Sequence, residues 1–255
     1  MSYKSPFVSI VTPNLNSGRY IEHTIKSVIN QTNKNFEYIV IDGHSKDSSL
    51  KIIKNYMRFI THFESKKDNS LYEAVDRGIK IARGNVIIWI NSDDVLDKNA
   101  VENIIKIFSK NRDISWINGR SGYIKFGIRY SFIPYLYPKE KILNSECHKQ
   151  GWGFIQQESV AFRKKLYLSV GGFDKNVKYA NDFILWKKFA SRQNLNTFFI
   201  KIGYFRTRKN QTSKKNIINY YKEINKKYIP GFYLNLGRLF FSFFKLPRII
   251  FRTYF

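Results

Sequence analysis

Ser92-Asp93-Asp94 follows an unbroken apolar run, Val86-Ile87-Ile88-Trp89-Ile90. Such a run reads as a strand buried on both faces. Two adjacent carboxylates at its end suit a hard divalent cation, because Mg²⁺ and Mn²⁺ take oxygen ligands and share them with substrate phosphates. The local alternative is a helix start, with Asp94 or Asp97 as the cap. Asp42 ends a second apolar run, FEYIVID. A carboxylate there can accept hydrogen bonds from a nucleobase or a ribose, or make an Asx-turn into a helix opening near Asp47. Asp68, in SKKDNS, reads on its own as a helix cap. Asp182, in YANDFILW, opens an apolar-faced helix, and capping alone accounts for it. Nothing in the spacing brings Asp182 to the cleft of Asp93.

The elements that must position these residues alternate along the first half. Apolar runs and periodicity predict strands over Phe7–Thr12, Phe36–Asp42, Phe59–Phe63, Asn85–Ile90 and Ile114–Asn118. Helices are expected over Gly18–Asn30, capped by Asn16 or Ser17, from Asp47, over Ser70–Arg83 and over Asn99–Lys110. Gly84 is expected to end the third helix as its C-terminal cap. This alternation predicts an α/β chain with a doubly wound, mostly parallel central sheet flanked by helices. Ligands bind such sheets beyond the carboxyl ends of the strands. Thr12-Pro13-Asn14, Asp42-Gly43 and Ser92-Asp93-Asp94 would then project at one edge.

The second half is less regular. Residues 119–160 are aromatic and β-prone, with GWG at 151–153. A helix is expected over Arg163–Ser169, a turn at Gly171-Gly172-Phe173-Asp174, a helix over Asn181–Arg192 and a basic helix over 214–227.

A chain of 255 residues that is 43% hydrophobic and 17% aromatic is not disordered. One cysteine, Cys147, excludes a disulfide framework and points to a reducing compartment. No secretory leader is expected from MSYKSPFVSIVTPN, and no stretch has the apolar length of a spanning helix. The net charge of +25 is uneven: residues 201–255 hold 13 basic side chains and one acidic. The excess implies an anionic partner, nucleic acid or a membrane surface. Residues 231–255 form an aromatic, basic tail in which Arg238, Lys245, Arg248 and Arg252 share one helical arc, with a kink at Pro247. The tail fits an amphipathic anchor on an anionic bilayer, or a core or interface helix.

Taken in order, these segments resemble a family 2 inverting glycosyltransferase of the GT-A fold, in the branch that builds bacterial lipopolysaccharide and other surface polysaccharides. The carriers are VSIVTPNLNSGRYIEHTIKSVINQT, FEYIVIDGHSKDSS, DNSLYEAVDRGIKIARGNVIIWINSDD, GFIQQESVAFRKKLYLSVGGFD and YANDFILWKKFA, within about residues 7–210. The resemblance implies a GT-A domain over 1–230, with a nucleotide-binding half to about 118 and an acceptor half from 119. It implies Asp94 as ligand to Mn²⁺ or Mg²⁺, helped by Asp93, which could instead touch the ribose. Thr12, Pro13, Asp42 and Asp68 would hold the nucleoside, Gln157 would lie near the sugar, and Arg206, Arg208 and Lys209 would cover the donor. Asp182 would be the catalytic base. Asn181 stands where relatives commonly carry Glu, and Asn69-Ser70 where many carry a glycine-containing turn.

The donor implied is a nucleotide-sugar, UDP above all, and the acceptor a glycan on a polyprenyl diphosphate. The enzyme would be cytoplasmic and peripheral at the inner face of the membrane, with no nucleic-acid partner. A nucleic-acid-binding basic protein and an inactive GT-A scaffold are the alternatives. A sugar nucleotidyltransferase fits poorly, since TPNLNSGRY has a single glycine.

Overall fold

The computed structural model of the chain describes residues 7–132, 134–148, 152–208 and 211–228. The tail expected over 231–255, Gly151 and Lys209 lie outside the described residues.

Eleven described strands form two sheets. They are β1 (Val8–Asn14), β2 (Phe36–Asp42), β3 (His62–Ser65), β4 (Val86–Trp89), β5 (Val95–Leu96), β6 (Trp116–Arg120), β7 (Gly122–Lys125), β8 (Ile128–Ser131), β9 (Val160–Arg163), β10 (Asn196–Lys201) and β11 (Gly203–Arg206). The α-helices are α1 (Ile21–Ile29), α2 (Ser49–Asn55), α3 (Leu71–Ile81), α4 (Ala100–Lys110), α5 (Lys139–Leu143), α6 (Lys164–Ser169), α7 (Asn181–Arg192), α8 (Thr212–Lys215) and α9 (Ile217–Glu223). The large sheet runs β10-β6-β9-β4-β1-β2-β3 and takes strands from both halves of the chain. All its pairings are parallel except those of β9, which lies antiparallel between β4 and β6. The small sheet runs β5-β11-β7-β8.

The alternation of β1 explains the layers. Val8 and Ile10 pack with Ile21, Ile25 and Val28 of α1 and Ile104 of α4 on one face. Val11 packs with Val75 and Ile79 of α3, and that core extends to Trp186 and Phe189 of α7, on the other. The expected doubly wound sheet is therefore present.

Local details differ from the sequence reading. The third strand begins at His62, because Met57–Phe59 closes into a 3₁₀ turn. Gly84 is no helix cap: α3 ends at Ile81, and Gly84 instead donates its N–H to Ser9 Oγ and Glu37 Oε1, at 2.8 and 3.1 Å. A Cβ at Gly84 would lie 2.5 Å from Ser9 Oγ, so the close approach requires glycine. Neither Asn16 nor Ser17 caps α1 through its side chain. Instead the Ser17 carbonyl accepts the N–H groups of Tyr20 and Ile21. The basic helix expected over 214–227 is two helices, interrupted at Asn216. Gly171 and Gly172 turn as expected, with φ of +73° and +64°.

The β7–β8 hairpin closes through Phe126 and Gly127, with φ of +50° and +79°. This is the primed turn geometry that suits twisted hairpins and that Asn or Gly usually occupies first. A phenylalanine there costs roughly 1–2 kcal/mol of left-handed strain.

Candidate active site

The parallel strands β1, β2 and β4 end side by side, and three polar clusters meet at their carboxyl edge. The first surrounds Asp42, which is fully buried. Its Oδ1 accepts from Ser45 Oγ and Asn14 Nδ2, at 2.5 and 2.7 Å. Its Oδ2 accepts from the Ser45 N–H and Ser65 Oγ, at 2.9 and 2.7 Å. Burial raises the pKa of this carboxyl, but the hydrogen bonds outweigh it and hold the group below its ordinary range. Asp42 is thus an ionised post around which the loops after β1, β2 and β3 are built. Pro13 and Thr12, one and two register steps inward, are buried in β1 opposite Ile41 and Val40.

Asp68 differs. Its carboxylate lies against Gly43, where a Cβ would stand 2.7 Å from Oδ2. Its ion pair with Arg77 is long, at 3.9 Å. Burial above all raises its pKa, and the charges of Glu73 and Asp42 add to this. The helix cap expected of Asp68 is supplied by Ser70, whose Oγ accepts the Glu73 N–H at 3.2 Å. Asp68 therefore keeps acceptor capacity beside the strand edge.

The second cluster is Asn91–Asp94. The Thr24 hydroxyl of α1 donates to the Asp94 carbonyl at 2.6 Å, and Ser92 Oγ bonds Ser17 Oγ at 2.9 Å. Asp94 is buried, with Oδ1 accepting the Arg206 N–H at 2.8 Å and Oδ2 a longer bond from Asn91 Nδ2 at 3.3 Å. Arg206 Nε donates to the Asp93 carbonyl at 2.8 Å, and the Asp93 carboxylate pairs with Arg208. Both arginines lie over the Tyr20 ring. The segment read from sequence as a donor cover is thus docked on the aspartate pair. Gln157 is buried, with Nε2 on the Trp89 carbonyl and Oε1 on Asn91 Nδ2, so it steadies this loop from behind.

Glu158 was not singled out from the sequence. It is buried in the 3₁₀ turn Gln157–Ser159 that leads into β9, close enough to the Asp94 carboxyl for each to act on the other's ionisation. Burial first, then the charges of Glu158 and Asp93, push the Asp94 pKa well up. Burial also raises that of Glu158. Two carboxyl groups in one dry site cannot both ionise without a positive charge between them. The oxygen-only donors and the weakly used Asp94 Oδ2 fit a hard divalent cation. A carboxylate inside an apolar-flanked stretch, FIQQESVAF, was the available signal for Glu158.

The third cluster is Asp182, at the N-terminus of α7. Its Oδ1 accepts the Phe183 N–H at 2.8 Å, and burial above all pushes its pKa up to about 6. Tyr72 lies between it and the second cluster, its hydroxyl donating to the Tyr179 carbonyl just before α7 at 3.1 Å. The Tyr72 ring packs edge-on against Trp89 at 5.9 Å, and Trp89 ends β4 just before Asn91. The charges of Asp93 and Asp182 both bear on Glu158. The fold thereby gathers carboxylates that are remote in sequence.

Glu223 of α9 clamps the approach to α7. Its carboxylate accepts the N–H groups of Lys178, Tyr179 and Ala180 at 2.9, 2.8 and 2.7 Å. Its charge adds to the rise at Asp182. Glu223→Gln should therefore move the ionisation of Asp182 to lower pH, read as a lower acid limb in a pH–activity profile. An unmoved limb would contradict this coupling.

The family model described as Glycosyl transferase family 2 matches residues 9–169. An uncharacterized glycosyltransferase of Rickettsia typhi is 32% identical over 196 residues, covering 72% of this chain and 59% of that protein. The chain thus spans about six tenths of that relative's length. The poly(ribitol-phosphate) beta-N-acetylglucosaminyltransferase TarP of Staphylococcus aureus is 35% identical over 121 residues, 45% of this chain and 36% of TarP. Among solved structures, S. aureus TarS 1–349 in complex with UDP-GlcNAc superposes with a TM-score of 0.65 at 15% identity, covering 95% of this chain and 67% of that one. The mannosyltransferase PcManGT of Pyrobaculum calidifontis, in complex with GDP-Man and Mn²⁺, gives 0.63 at 15%, covering 92% and 68%.

Proposed function

From the premise that this chain belongs to glycosyl transferase family 2 and has the GT-A fold, we propose that it transfers a sugar, with inversion, from a UDP-sugar to a glycan hydroxyl. The observation that carries this reading is the Asp93-Asp94 pair at the end of β4 with Arg206 and Arg208 docked on it, and Asp182 opens α7, reached from β4 through the Tyr72–Trp89 contact. The TarS complex with UDP-GlcNAc supports a UDP-sugar as donor, and TarP, named for transfer to poly(ribitol-phosphate), supports a hydroxyl of a polymeric acceptor.

Asp182 takes the proton of the acceptor hydroxyl as that oxygen bonds to the anomeric carbon. The bond to the diphosphate oxygen breaks on the opposite face, and the diphosphate leaves with the electron pair. Asp94 would hold the divalent cation, Mn²⁺ or Mg²⁺, with Asp93 beside it. When bound, the cation offsets charge on the leaving diphosphate. Arg206 and Arg208 sit beside the aspartate pair, where their charge favours a diphosphate. Asp68 offers its acceptor oxygens to the N–H of a base or a ribose hydroxyl, while Asp42, Thr12 and Pro13 shape the floor beneath.

In this reading the acceptor is carried on a polyprenyl diphosphate at the inner face of the cell membrane, and residues 231–255 help to hold the enzyme there. Among the described residues no helix is long and apolar enough to cross a membrane.

Calorimetric titration of UDP, with Mn²⁺ and then with EDTA, tests the donor. Metal-dependent binding is expected, and no binding of UDP in either condition would overturn the UDP assignment. Gly43→Ala should weaken that binding by about tenfold, since the new methyl group displaces the Asp68 carboxylate. Unchanged affinity in Gly43→Ala would remove Asp68 from the nucleotide site.

A further inference from the structure

The β7–β8 hairpin carries apolar side chains that the fold leaves in water. Phe126 is 91% exposed, Ile128 68% and Phe132 54%. Ile128 and Tyr130 alternate along β8 on the face they share with Phe132, and Tyr130 stacks on Tyr123 across the pair at 5.6 Å. Phe126 occupies the left-handed turn position where Asn or Gly would relieve strain. The Lys125 ammonium lies over its ring at 5.3 Å, and the rest of that ring faces water, which leaves its apolar surface open to a partner outside the fold.

Charge selects the occupant. Between Asp113 and Glu140 the sequence has no acidic residue but carries Arg120, Lys125, Arg129 and Lys139. The groove beside the hairpin has Lys98, Arg129 and Arg206 in its lining, together with Val95, Leu96 and Ile124. Aliphatic and aromatic side chains at a tip, with cations behind them, match the boundary between acyl chains and anionic headgroups. Aromatic rings alone would have suited a sugar platform. Ile128 beside Phe126 favours lipid.

We propose that the β7–β8 hairpin is a membrane-contact element that inserts Phe126 and Ile128 into an anionic lipid surface. It is distinct from the tail beyond residue 230, and it stands on this surface whether or not the chain transfers a sugar. Because β7 pairs with β11, which delivers Arg206 to Asp94, insertion would hold the carboxylate cluster near the lipid plane.

The test uses the full chain with vesicles of phosphatidylcholine alone or mixed with phosphatidylglycerol. Phe126→Asn with Ile128→Thr should lower partition onto the mixed vesicles by about tenfold or more. Its Tm should stay equal or rise, because Asn tolerates the turn and Thr keeps strand preference. In parallel, a polarity-sensitive dye on Phe126→Cys should shift to the blue on the mixed vesicles and hardly at all on the neutral ones. Native Cys147 is buried and would not compete for the label. A dye that stays in water on vesicles the protein binds would overturn the proposal. So would an unchanged partition of the double variant. A blue shift that needs only higher protein concentration would assign the hairpin to a contact between two copies instead.

Discussion

Asp182→Asn should lower the rate of transfer by roughly 10²- to 10⁴-fold, the range a positioned general base supplies. UDP-sugar affinity should hardly change. The amide keeps the oxygen that accepts the Phe183 N–H, so α7 retains its start. The wild-type profile adds a second check. A base works when deprotonated, so with a pKa of about 6 the value of kcat/KM should rise through pH 6 and level off near 7. Asp182→Asn should lack that limb. The sign for stability is opposite. A carboxyl raised above its unfolded value favours the folded state while protonated, and that favour is lost as pH rises through about 6. The variant should therefore melt no lower than the wild type at pH 8. Near-normal turnover in a folded Asp182→Asn protein would end its assignment as the base.

Asp94→Asn should weaken metal-dependent binding of UDP by roughly 100-fold or more, since it removes the carboxylate that would anchor the cation. Titration of Mn²⁺ followed by its paramagnetic resonance signal gives a readout independent of turnover. The geometry also predicts a gain. Asp94 and Glu158 share one buried site that raises the Asp94 pKa, and a raised carboxyl costs the folded state stability above its unfolded range. With one carboxyl made neutral, metal-free Asp94→Asn should be more stable than metal-free wild type at pH 8. Retained Mn²⁺ binding would place the cation elsewhere.

The sequence made β1, β2 and β4 legible because strands buried on both faces are continuous apolar runs, and their carboxyl ends carried the visible aspartates. Asp42 and Asp94 stand out in the sequence for this reason. Strands β5 and β7 to β11 were not, being two to six residues long with weak alternation. The antiparallel insertion of β9 is a pairing between distant segments that no local pattern states. For the same reason Glu158 was passed over, and the docking of Arg206 and Arg208 on a pair more than 110 residues earlier could not be read. Capping accounts for Asp182 equally well in the sequence, where nothing shows that Tyr72 bridges the start of α7 and Trp89.

The place of β9 bears on how a ribosome can deliver this protein. Strands β1 to β4 emerge early, but the edge of β4 stays bare until Val160–Arg163 is made, and β6 has no link to β4 until the same strand arrives. The open edge is VIIW, a segment without charge. The nascent chain must thus carry a sticky β edge for some seventy residues of synthesis. Cutting the chain at about residue 118 would make that state permanent, so residues 7–118 are not expected to fold on their own.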